Sequence, residues 1–173
     1  MRATGADTAW LVRPMAAGDL AAACALAQRV AEAAGWSPGD YERAVRGDWD
    51  AWVAVRESPP GSHLLGFLIA RRMADEMEIL NLAVAPTHRR RGVGRRLLEA
   101  AVDLGRARDA KQVFLEVRVS NAAAIAFYQR QGFVRSARRP HYYAQPAEDA
   151  WVLSRNLDAR PVGKHLARAL RTC

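Results

Sequence analysis

The chain has 173 residues, of which 50% are apolar and 25% are charged, and its formal net charge is +8. This length and balance exclude a disordered or fibrous protein and predict one globular domain with its own core. No apolar run reaches the roughly 18 to 20 residues that cross a bilayer, and Asp7 interrupts the N-terminus before a signal segment can develop. We therefore expect a soluble cytoplasmic protein with no membrane partner.

The charge is unevenly distributed. Residues 1–80 hold 8 Lys and Arg against 11 Asp and Glu, whereas residues 81–173 hold 18 against 7. This asymmetry predicts a cationic partner for the front half and an anionic partner for the back half. The two cysteines and four histidines stand too far apart for a metal-ligand spacing, so we predict neither a metal site nor a disulfide framework.

Hydrophobic periodicity and turn residues predict eleven elements in chain order. They are a strand over 8–13, helices over 19–34 and 40–46, strands over 49–56, 64–72 and 76–84, a helix over 92–108, a strand over 112–119, a helix over 120–131, and strands over 133–136 and 149–155. A loop that holds Tyr142 and Tyr143 joins the last two strands. The order predicts an α/β mixed sheet with helices on its faces, in one domain over residues 1–158. Residues 159–173 are expected to form a basic C-terminal tail, since Pro161 and Gly163 oppose a helix.

An arginine-rich and glycine-rich segment, residues 89–95, lies between a predicted strand and a predicted helix. Glycines let the backbone close on a ligand, and the first amides of the helix, its dipole and the arginines all favour an anion. The Gly-Lys-Ser/Thr end of a Walker loop is missing, and Leu97 stands where a dinucleotide-binding fingerprint needs its third glycine. Gly92 and Gly94 oppose helix propensity in the first turn, which favours a phosphate cradle over a solvated arginine run.

This segment resembles the Arg/Gln-x-x-Gly-x-Gly/Ala pyrophosphate loop of the GNAT superfamily of acetyl-coenzyme A-dependent N-acetyltransferases. Within that superfamily the chain is most similar to the RimI type, the ribosomal-protein-alanine N-acetyltransferases. The matching stretches lie in the expected order across roughly residues 8–157: Trp36-Ser37, residues 81–86, residues 115–121, Tyr128, Gly132-Phe133, Tyr142-Tyr143 and residues 148–150.

The resemblance implies the GNAT fold, a mostly antiparallel sheet with helices on both faces and two neighbouring strands that splay apart around the donor, acetyl-CoA. The main chain of Leu82, Ala83 and Val84 would pair with the pantetheine arm. The amides from Arg90 to Arg95 would hold the pyrophosphate, and Asn121 would contact the cofactor. The implied cofactor-binding segment is Arg89, Arg90, Arg91, Gly92, Val93, Gly94 and Arg95.

Glu116 is the first candidate for chemistry. It lies on the strand face opposite Val113, Leu115 and Val117, so periodicity leaves it as either a reactive carboxylate or an exposed partner of Arg118. In the RimI type, the glutamate at this place is the general base, and the resemblance assigns that role to Glu116. Glu78, on the preceding strand, is the alternative base, since many relatives in the superfamily place theirs there.

Tyr128 is the second candidate. It follows Asn121 by seven residues, which on a helix places both side chains on one face. A core aromatic is the other interpretation, although Phe127 fits that role better. The resemblance makes Tyr128 the general acid for the leaving thiolate. Proton transfer from a phenol of pKa ~10 to a thiolate of pKa ~8.5 is uphill by roughly 2 kcal/mol, so a hydrogen bond can also describe this role.

The acceptor is predicted to be the N-terminal α-amino group of a protein, in line with a ribosomal-protein substrate. An α-amine is neutral roughly one time in seven at pH 7, whereas lysine is neutral about once in 2,500. Tyr142 and Tyr143 would either wall the acceptor channel or anchor the loop. Lysine or a small amine is the alternative acceptor. A non-catalytic nucleotide or RNA-binding module is the alternative class, but no aromatics cluster beside the arginines for base stacking. We expect a monomer that needs no nucleic acid.

Overall fold

The computed structural model describes residues 10–30, 36–58 and 61–158. This part of the chain forms seven strands and four α-helices. In chain order they are β1 (Trp10–Pro14), α1 (Leu20–Arg29), α2 (Pro38–Arg46), β2 (Asp50–Ser58), β3 (Gly61–Met73), β4 (Glu76–Val84), α3 (Val93–Ala107), β5 (Gln112–Arg118), α4 (Ala122–Arg130), β6 (Val134–Ala144) and β7 (Ala147–Asn156). Short 3-10 helices at Ala17–Asp19 and Pro86–His88 complete the described elements.

The predicted order of elements is confirmed, but one predicted loop is part of a strand. The segment predicted as a strand over 133–136 followed by a loop is one long strand, β6, so Tyr142 and Tyr143 lie on a strand. Nearly every residue of β6 is exposed, and its partner β7 holds it through main-chain bonds. The strand therefore has no apolar alternation that a sequence pattern could reveal. The first predicted helix, over 19–34, is shorter in the structure, because α1 ends at Arg29 and Val30 has an extended backbone. Its predicted residues 31–34 and the predicted tail (159–173) lie outside the described residues.

The seven strands form one sheet in the order β1-β2-β3-β4-β5-β7-β6. All neighbours are antiparallel except β4 and β5. One buried cluster packs α3 and α4 against one face, and a second cluster packs α1 and α2 against the other. The predicted mixed, mostly antiparallel sheet with helices on both faces is confirmed. No helix in the described ranges is long and apolar enough to cross a membrane.

A one-residue bulge in β4 sets the geometry of the sheet centre. Ala70 of β3 lies opposite Ile79, and Ile69 lies opposite Asn81, so Leu80 has no partner in β3. The parallel pairing of β4 with β5 ends at the same point, with Ile79 opposite Leu115. Because a bulge bends its strand and disrupts the ladder, β4 and β5 separate beyond Ile79. The predicted splayed strand pair is therefore present.

The bulge also determines which side chains face each layer. Ile79 belongs to the cluster under α3 and α4, whereas Leu80 and Ala83 belong to the cluster under α1 and α2. Since side chains alternate along a regular strand, Asn81 shares the face of Ala83. Leu80 and Asn81 thus lie side by side on the α1/α2 face, at the point where the two strands part.

Candidate active site

A cleft of about 710 Å³ occupies the gap between β4 and β5. Its walls come from the bulged part of β4, the end of β5, the first turn of α4 and the β6–β7 turn. The lining residues that matter below are Asn81, Leu82, Glu116, Asn121, Tyr128 and Tyr143. The fold therefore brings together four predicted site residues from three elements: Leu82, Glu116, Asn121 and Tyr128.

The predicted pantetheine edge lies on β4. Leu82, Ala83 and Val84 pair with β3 on one side, and no β5 residue is in register with them on the other. Leu82 lines the cleft, whereas Ala83 and Val84 continue the strand beyond its lining. Ala83 is buried against the α1/α2 layer, and Val84 packs against the α3/α4 layer. Main-chain groups on the β5 side of this edge can therefore pair with an extended ligand.

The predicted pyrophosphate loop presents a row of amides. Within the described part of the chain, the amide groups of residues 90–95 have no hydrogen-bond partner; the first helical bond runs from the Arg96 amide to the Gly92 carbonyl at 3.0 Å. Gly92 is the N-cap of α3 and provides no side-chain cap. Six successive free amides at the positive end of a 15-residue helix suit a doubly charged anion.

The two glycines of the loop have different environments. Gly92 has φ +84°, a left-handed conformation, and a Cβ there would meet open space. A Cβ on Gly94 would touch Phe127 and Val84 at 3.5 Å, an ordinary contact distance. Gly92 is therefore required by the backbone, whereas the position of Gly94 would accept an alanine.

The side chains of the loop divide between solvent, neighbours and core. Arg90 and Arg91 are exposed. Arg95 forms an ion pair with Glu99 at 2.8 Å, and the Arg89 Nε atom donates to the Val84 carbonyl at 3.4 Å. Val93 is 1% exposed and packs in the core. Of Val93, only the main chain can reach a ligand.

Asn121 lies at the entrance to α4 and not within it. Its Oδ1 atom accepts a hydrogen bond from the Ala124 amide at 3.0 Å, which makes it the N-cap of a helix that begins at Ala122. The predicted helix start at residue 120 is therefore two residues early. Asn121 and Tyr128 still line the same cleft, with Tyr128 projecting from the second turn of α4.

Glu116 lies on β5 with a side chain only 9% exposed. The predicted alternation of this strand is confirmed, because Val113, Leu115 and Val117 are buried in the α3/α4 cluster. The expected alternative partner, Arg118, does not bind Glu116. The Arg118 guanidinium instead contacts Glu148, the Gln145 and Pro146 carbonyls and, at 4.0 Å, the ring of Tyr143.

Two residues of β6 hold the Glu116 carboxylate. Arg139 Nη1 forms an ion pair with Oε1 at 2.7 Å, and the Tyr142 hydroxyl donates a hydrogen bond to Oε2 at 3.0 Å. Burial raises the pKa of Tyr142 to about 12, and the negative charge of Glu116 acts in the same direction. Tyr142 therefore remains a hydrogen-bond donor throughout the neutral range.

An irregular stretch of β6 brings these two residues to Glu116. The register of β6 against β7 shifts between Arg139 and Tyr143. His141, inside the shift, has φ +51°, and its amide donates to Asp149 Oδ1 at 2.8 Å. The hydrogen bond to His141 and the contact with Arg138 lower the pKa of Asp149 against the opposing effect of burial. Asp149 thus fixes the backbone that carries Arg139 and Tyr142.

Tyr128 is buried below the other wall of the cleft. Its ring packs edge-on against Phe127 and Phe133, with centroids 5.0 and 5.6 Å away. Among the described residues, no group forms a hydrogen bond with its hydroxyl. Burial raises the pKa of Tyr128 well above that of a free phenol, and nearby Tyr143 adds to the effect. The hydroxyl is therefore a protonated donor without an acceptor among the described residues.

Glu78, the alternative carboxylate, lies opposite Phe114 in the paired part of the two strands. Its side chain is 8% exposed and forms an ion pair with Arg71 at 2.6 Å. Because Phe114 and Glu116 share one face of β5, Glu78 also faces the α1/α2 side. It lies outside the lining of the cleft. Glu116 is thus the better placed of the two.

The acids of the front half are largely occupied by internal partners. Ion pairs join Asp19 to Arg13, Asp48 to Arg43, Asp50 to Arg108, Asp75 to Lys111 and Glu78 to Arg71. Although residues 1–80 are rich in acids, few of these carboxylates therefore remain available on the surface for a cationic partner. In the described ranges no group of three or more His, Cys, Asp or Glu could hold a metal ion.

Sequence reasoning missed three residues around the site. Arg139 and Asp149 act through the irregularity of β6, which depends on tertiary pairing and leaves no local pattern. Asn81 is more than nine-tenths buried and lines the cleft. A polar residue inside the apolar run over 79–84 was the one signal that could have drawn attention to it.

Known proteins agree with this geometry. A family model described as the acetyltransferase (GNAT) family matches residues 22–133. The chain is 38% identical over 138 residues to the ribosomal protein bS18-alanine N-acetyltransferase of Salmonella typhimurium, which covers 79% of this chain and 90% of that protein. It is 33% identical over 125 residues to the N-alpha-acetyltransferase RimI of Mycobacterium tuberculosis, over 70% of this chain and 75% of that one.

The fold is shared with a solved relative. The crystal structure of the ribosomal-protein-S18-alanine N-acetyltransferase from Escherichia coli superimposes with a TM-score of 0.72 and 29% identity, over 92% of this chain and 99% of that chain. The splayed strands, the free amides before α3 and these relationships lead to one conclusion. The chain belongs to the acetyltransferase (GNAT) family, and within it to the RimI type of N-acetyltransferase that uses acetyl-CoA as donor.

Proposed function

We propose that this enzyme transfers the acetyl group of acetyl-CoA to the N-terminal α-amino group of a protein, and that the acceptor is a ribosomal protein with an N-terminal alanine. The observation that carries the proposal is the placement of Glu116 and Tyr128 on two walls of one cleft between the splayed strands. The names of the relatives from Salmonella and Escherichia support the acceptor.

The residues on the α3 side fit the donor. The free amides of residues 90–95 would hold the pyrophosphate, with Arg90 and Arg91 neutralising its charge. The β5-facing edge of Leu82, Ala83 and Val84 would pair with the pantetheine arm, which leads into the cleft. Acetyl-CoA supplies the activated thioester, and these residues orient it between the two strands.

Glu116, on the α1/α2 face of β5, and Tyr128, on α4, fit the acceptor and the leaving group. Glu116 would take the proton that the amine loses as its nitrogen attacks the thioester carbonyl carbon. Tyr128, protonated and without a hydrogen-bond partner in the described ranges, would donate a hydrogen bond to the departing thiolate sulfur. The burial of Tyr128 makes complete proton transfer to sulfur still more uphill, which favours the hydrogen bond. Tyr142 and Tyr143 would border the acceptor entrance.

One carboxylate is enough to accept the proton that an α-amine loses in the reaction. Such an amine has a pKa of roughly 7.7 to 8.0, so a useful fraction is neutral near pH 7, whereas a lysine is almost fully charged. In the described part of the site, Glu116 is the cleft-lining acid. This limited proton-accepting capacity supports the α-amine over a lysine side chain.

Two matched peptides test the proposal. The first has a free N-terminal alanine and no lysine; the second has a blocked N-terminus and one internal lysine. After incubation with acetyl-CoA, mass spectrometry should locate the acetyl group on the first peptide alone. Acetylation of the lysine with the free alanine untouched would overturn the α-amine assignment. Binding of RNA without any turnover would overturn the enzymatic proposal.

The remaining expectations belong to the same proposal. We place the enzyme in the cytoplasm, where acetyl-CoA and newly made ribosomal proteins meet, and we expect it to act as a monomer without a membrane or nucleic-acid partner. We also keep residues 1–158 as the catalytic domain and 159–173 as a basic tail that the chemistry does not need. A variant truncated after Asp158 should retain acetyl transfer to the peptide.

A further inference from the structure

Arg118, the last residue of β5, binds the turn that joins β6 to β7. Its Nη2 atom donates to the Gln145 carbonyl at 2.9 Å, and its Nη1 atom donates to the Pro146 carbonyl at 3.1 Å. The guanidinium also lies over the ring of Tyr143, 4.0 Å from the ring centroid. A single side chain therefore holds both the main chain of the turn and an aromatic ring at the end of β6.

Glu148 extends this contact to the start of α4. Its Oε2 atom accepts a hydrogen bond from Arg118 Nη1 at 3.1 Å, and its Oε1 atom accepts one from the Ser120 amide at 2.6 Å. Ser120 directly precedes Asn121, the N-cap of α4. Hydrogen bonds from Ser120, together with the one from Arg118, lower the pKa of Glu148, so it is charged at neutral pH. Glu148 thus bridges the β6–β7 turn and the helix that carries Tyr128.

The bridge between Arg118 and Glu148 has the properties of a fixed support. The two side chains are only 27% and 15% exposed, so water screens their attraction less than that of a surface pair. Both terminal nitrogens of the guanidinium have acceptors within the protein. A planar guanidinium can bind two carbonyls and a carboxylate and cover a ring at the same time, which an ammonium group cannot do. The geometry therefore suits a residue that holds its neighbours in place.

The neighbours that Arg118 holds lead to the proposed base. Arg118 and Tyr143 line the cleft together with Glu116. The ring of Tyr143 packs edge-on against that of Tyr142, with centroids 5.0 Å apart, and the Tyr142 hydroxyl donates to Glu116 at 3.0 Å. Two adjacent rings therefore connect Arg118 with the carboxylate. A movement of the β6–β7 turn would move both rings and change the entrance that they border.

We propose that Arg118 is a positioning residue: through the β6–β7 turn and Glu148, it sets the acceptor entrance and the orientation of the amine toward Glu116. This inference rests on the proposed function, in which Tyr142 and Tyr143 border that entrance. A displacement of about 1 Å in a reacting group can lower the rate by about 100-fold, so the firmness of such a support has a measurable effect. The donor residues 82–84 and 90–95 form no hydrogen bond with the Arg118 side chain in the described part of the chain.

The replacement Arg118→Met tests the inference by separating two KM values. Methionine keeps part of the apolar stem and removes every donor. The KM for the peptide with a free N-terminal alanine should rise about tenfold, and kcat should fall, because the amine is held less well against Glu116. The KM for acetyl-CoA should not change. If this variant fails to fold, Glu148→Gln makes the same test: it keeps an oxygen for the Ser120 amide, loses the ion pair and should raise the peptide KM by a smaller factor.

Two further variants separate geometry from charge. Arg118→Lys keeps the positive charge without the planar guanidinium, so the peptide KM should stay several-fold above that of the wild type. Complete restoration by lysine would mean that charge alone matters and would overturn the positioning role. The double variant Arg118→Met/Glu148→Gln should be no worse than Arg118→Met, because both changes break one bridge. Increases in KM that multiply would contradict the bridge.

Arg108→Met is the matched control. The Nη1 atom of Arg108, the C-cap of α3, donates to both carboxylate oxygens of Asp50 at 3.0 and 2.8 Å, and neither residue lines the cleft. Both arginine variants should melt at a lower temperature, but only Arg118→Met should raise the peptide KM. If the peptide KM of Arg118→Met stayed normal and its kcat changed only as in Arg108→Met, Arg118 would have a structural role alone and the inference would be wrong.

Failure of the proposed function gives a different result from failure of this inference. If the wild type acetylates the lysine peptide and leaves the free alanine untouched, the α-amine assignment fails, and Arg118→Met should then raise the KM for the lysine peptide. If the wild type acetylates neither peptide, hydrogen exchange decides the role of Arg118. The amides of residues 142–148 should exchange faster in Arg118→Met than in the wild type and in Arg108→Met, and unchanged exchange would overturn the inference.

Discussion

Arg139 Nη1 lies 2.7 Å from Glu116 Oε1, so the proposed base already holds a cation before any acceptor arrives. The other carboxylate oxygen accepts the Tyr142 hydrogen bond at 3.0 Å. Most α-amines are charged at neutral pH, and an incoming ammonium group therefore competes with Arg139 for the same oxygen. Arg139 is 54% exposed, so it can move aside into solvent.

We predict that Arg139→Met lowers the KM for the acceptor peptide several-fold, because the competing cation is removed. The KM for acetyl-CoA should not change. Arg135→Met is the control, since Arg135 lies on the same strand, stacks on Trp151 at 4.8 Å and has no carboxylate partner in the part of the chain that the structure describes. Steady-state kinetics over a range of peptide concentrations measure the effect. A rise in peptide KM would mean that Arg139 assists acceptor binding and would contradict the competition.

We predict that Glu116→Gln loses at least tenfold in kcat near pH 7 and regains part of it as the pH rises. The glutamine can still accept the Tyr142 hydrogen bond but cannot take a proton, so the reaction depends on amines that are already neutral. Affinity for acetyl-CoA should be unchanged. Rates at several pH values test this, with Asp103→Asn, an exposed helix position, as control. Normal activity of Glu116→Gln together with loss of activity in Glu78→Gln would assign the general base to Glu78 on β4.

We predict that Tyr128→Phe lowers kcat at least tenfold at every pH between about 6 and 9. Burial raises the pKa of Tyr128, so its hydroxyl stays protonated throughout this range and its contribution should not titrate. The melting temperature should stay the same or rise, since the hydroxyl forms no hydrogen bond with the described residues. Steady-state kinetics at several pH values and thermal unfolding, both carried out on wild type and Tyr128→Phe, test these two expectations. A fall in kcat confined to one side of the pH range would contradict a constant hydrogen-bond role.

We predict that Gly92→Val abolishes the thermal stabilisation by acetyl-CoA while the protein still folds. Valine at φ +84° is strained, and its branched side chain would stand before the free amides. Gly47→Val is a closely matched control, because Gly47 has φ +89°, open space around it and a place at the end of α2. Both variants should melt at a lower temperature. If Gly92→Val retained the full ligand-induced shift, the amides before α3 would not bind the pyrophosphate.

Asp19 gives a prediction about pH and stability. The Arg13 guanidinium, at 2.6 Å, lowers the pKa of Asp19, and the Ala16 amide adds to the effect. A lowered folded-state pKa means that the stabilisation is fully present above the unfolded value of roughly 3.9 and is lost as the pH falls through the folded value. Asp19→Asn should therefore lower the melting temperature by a few degrees at pH 7, and the difference from wild type should shrink as the pH falls below about 4. A constant difference would exclude the ion pair as its cause.

The sequence predicts the donor side of the site better than the acceptor side. The free amides of residues 90–95 follow from a local pattern, since two glycines and a helix start decide where the N–H groups point. The alternation of β5 likewise places Glu116 away from the core. Both depend on neighbours in sequence, which is the range that periodicity and propensity report.

The acceptor side depends on contacts across the sheet. Arg139 reaches Glu116 only because the register of β6 shifts, and Asp149 holds that shift through the His141 amide. The exposed edge strand carries no hydrophobic alternation, so its first residues predict a short strand and the rest a loop. Asn121 is an N-cap and not a helix-face residue for a similar reason: the helix start is set by where its side chain finds the Ala124 amide.

Because of the extra residue in β4, the hydrophobic core and the ligand cleft of this protein depend on different features of the sequence. Leu80 and Asn81 face the same layer. A chain that lacked Leu80 would therefore keep all the remaining β4 side chains on their present faces. The regular strand that remained could pair with β5 past Ile79, and the gap would close. The hydrophobic pattern that folds the sheet is thus the same whether or not the cleft between β4 and β5 exists. The cleft depends on the number of residues in β4. Deletion of one residue at the bulge can therefore remove the cleft, whereas most single substitutions cannot.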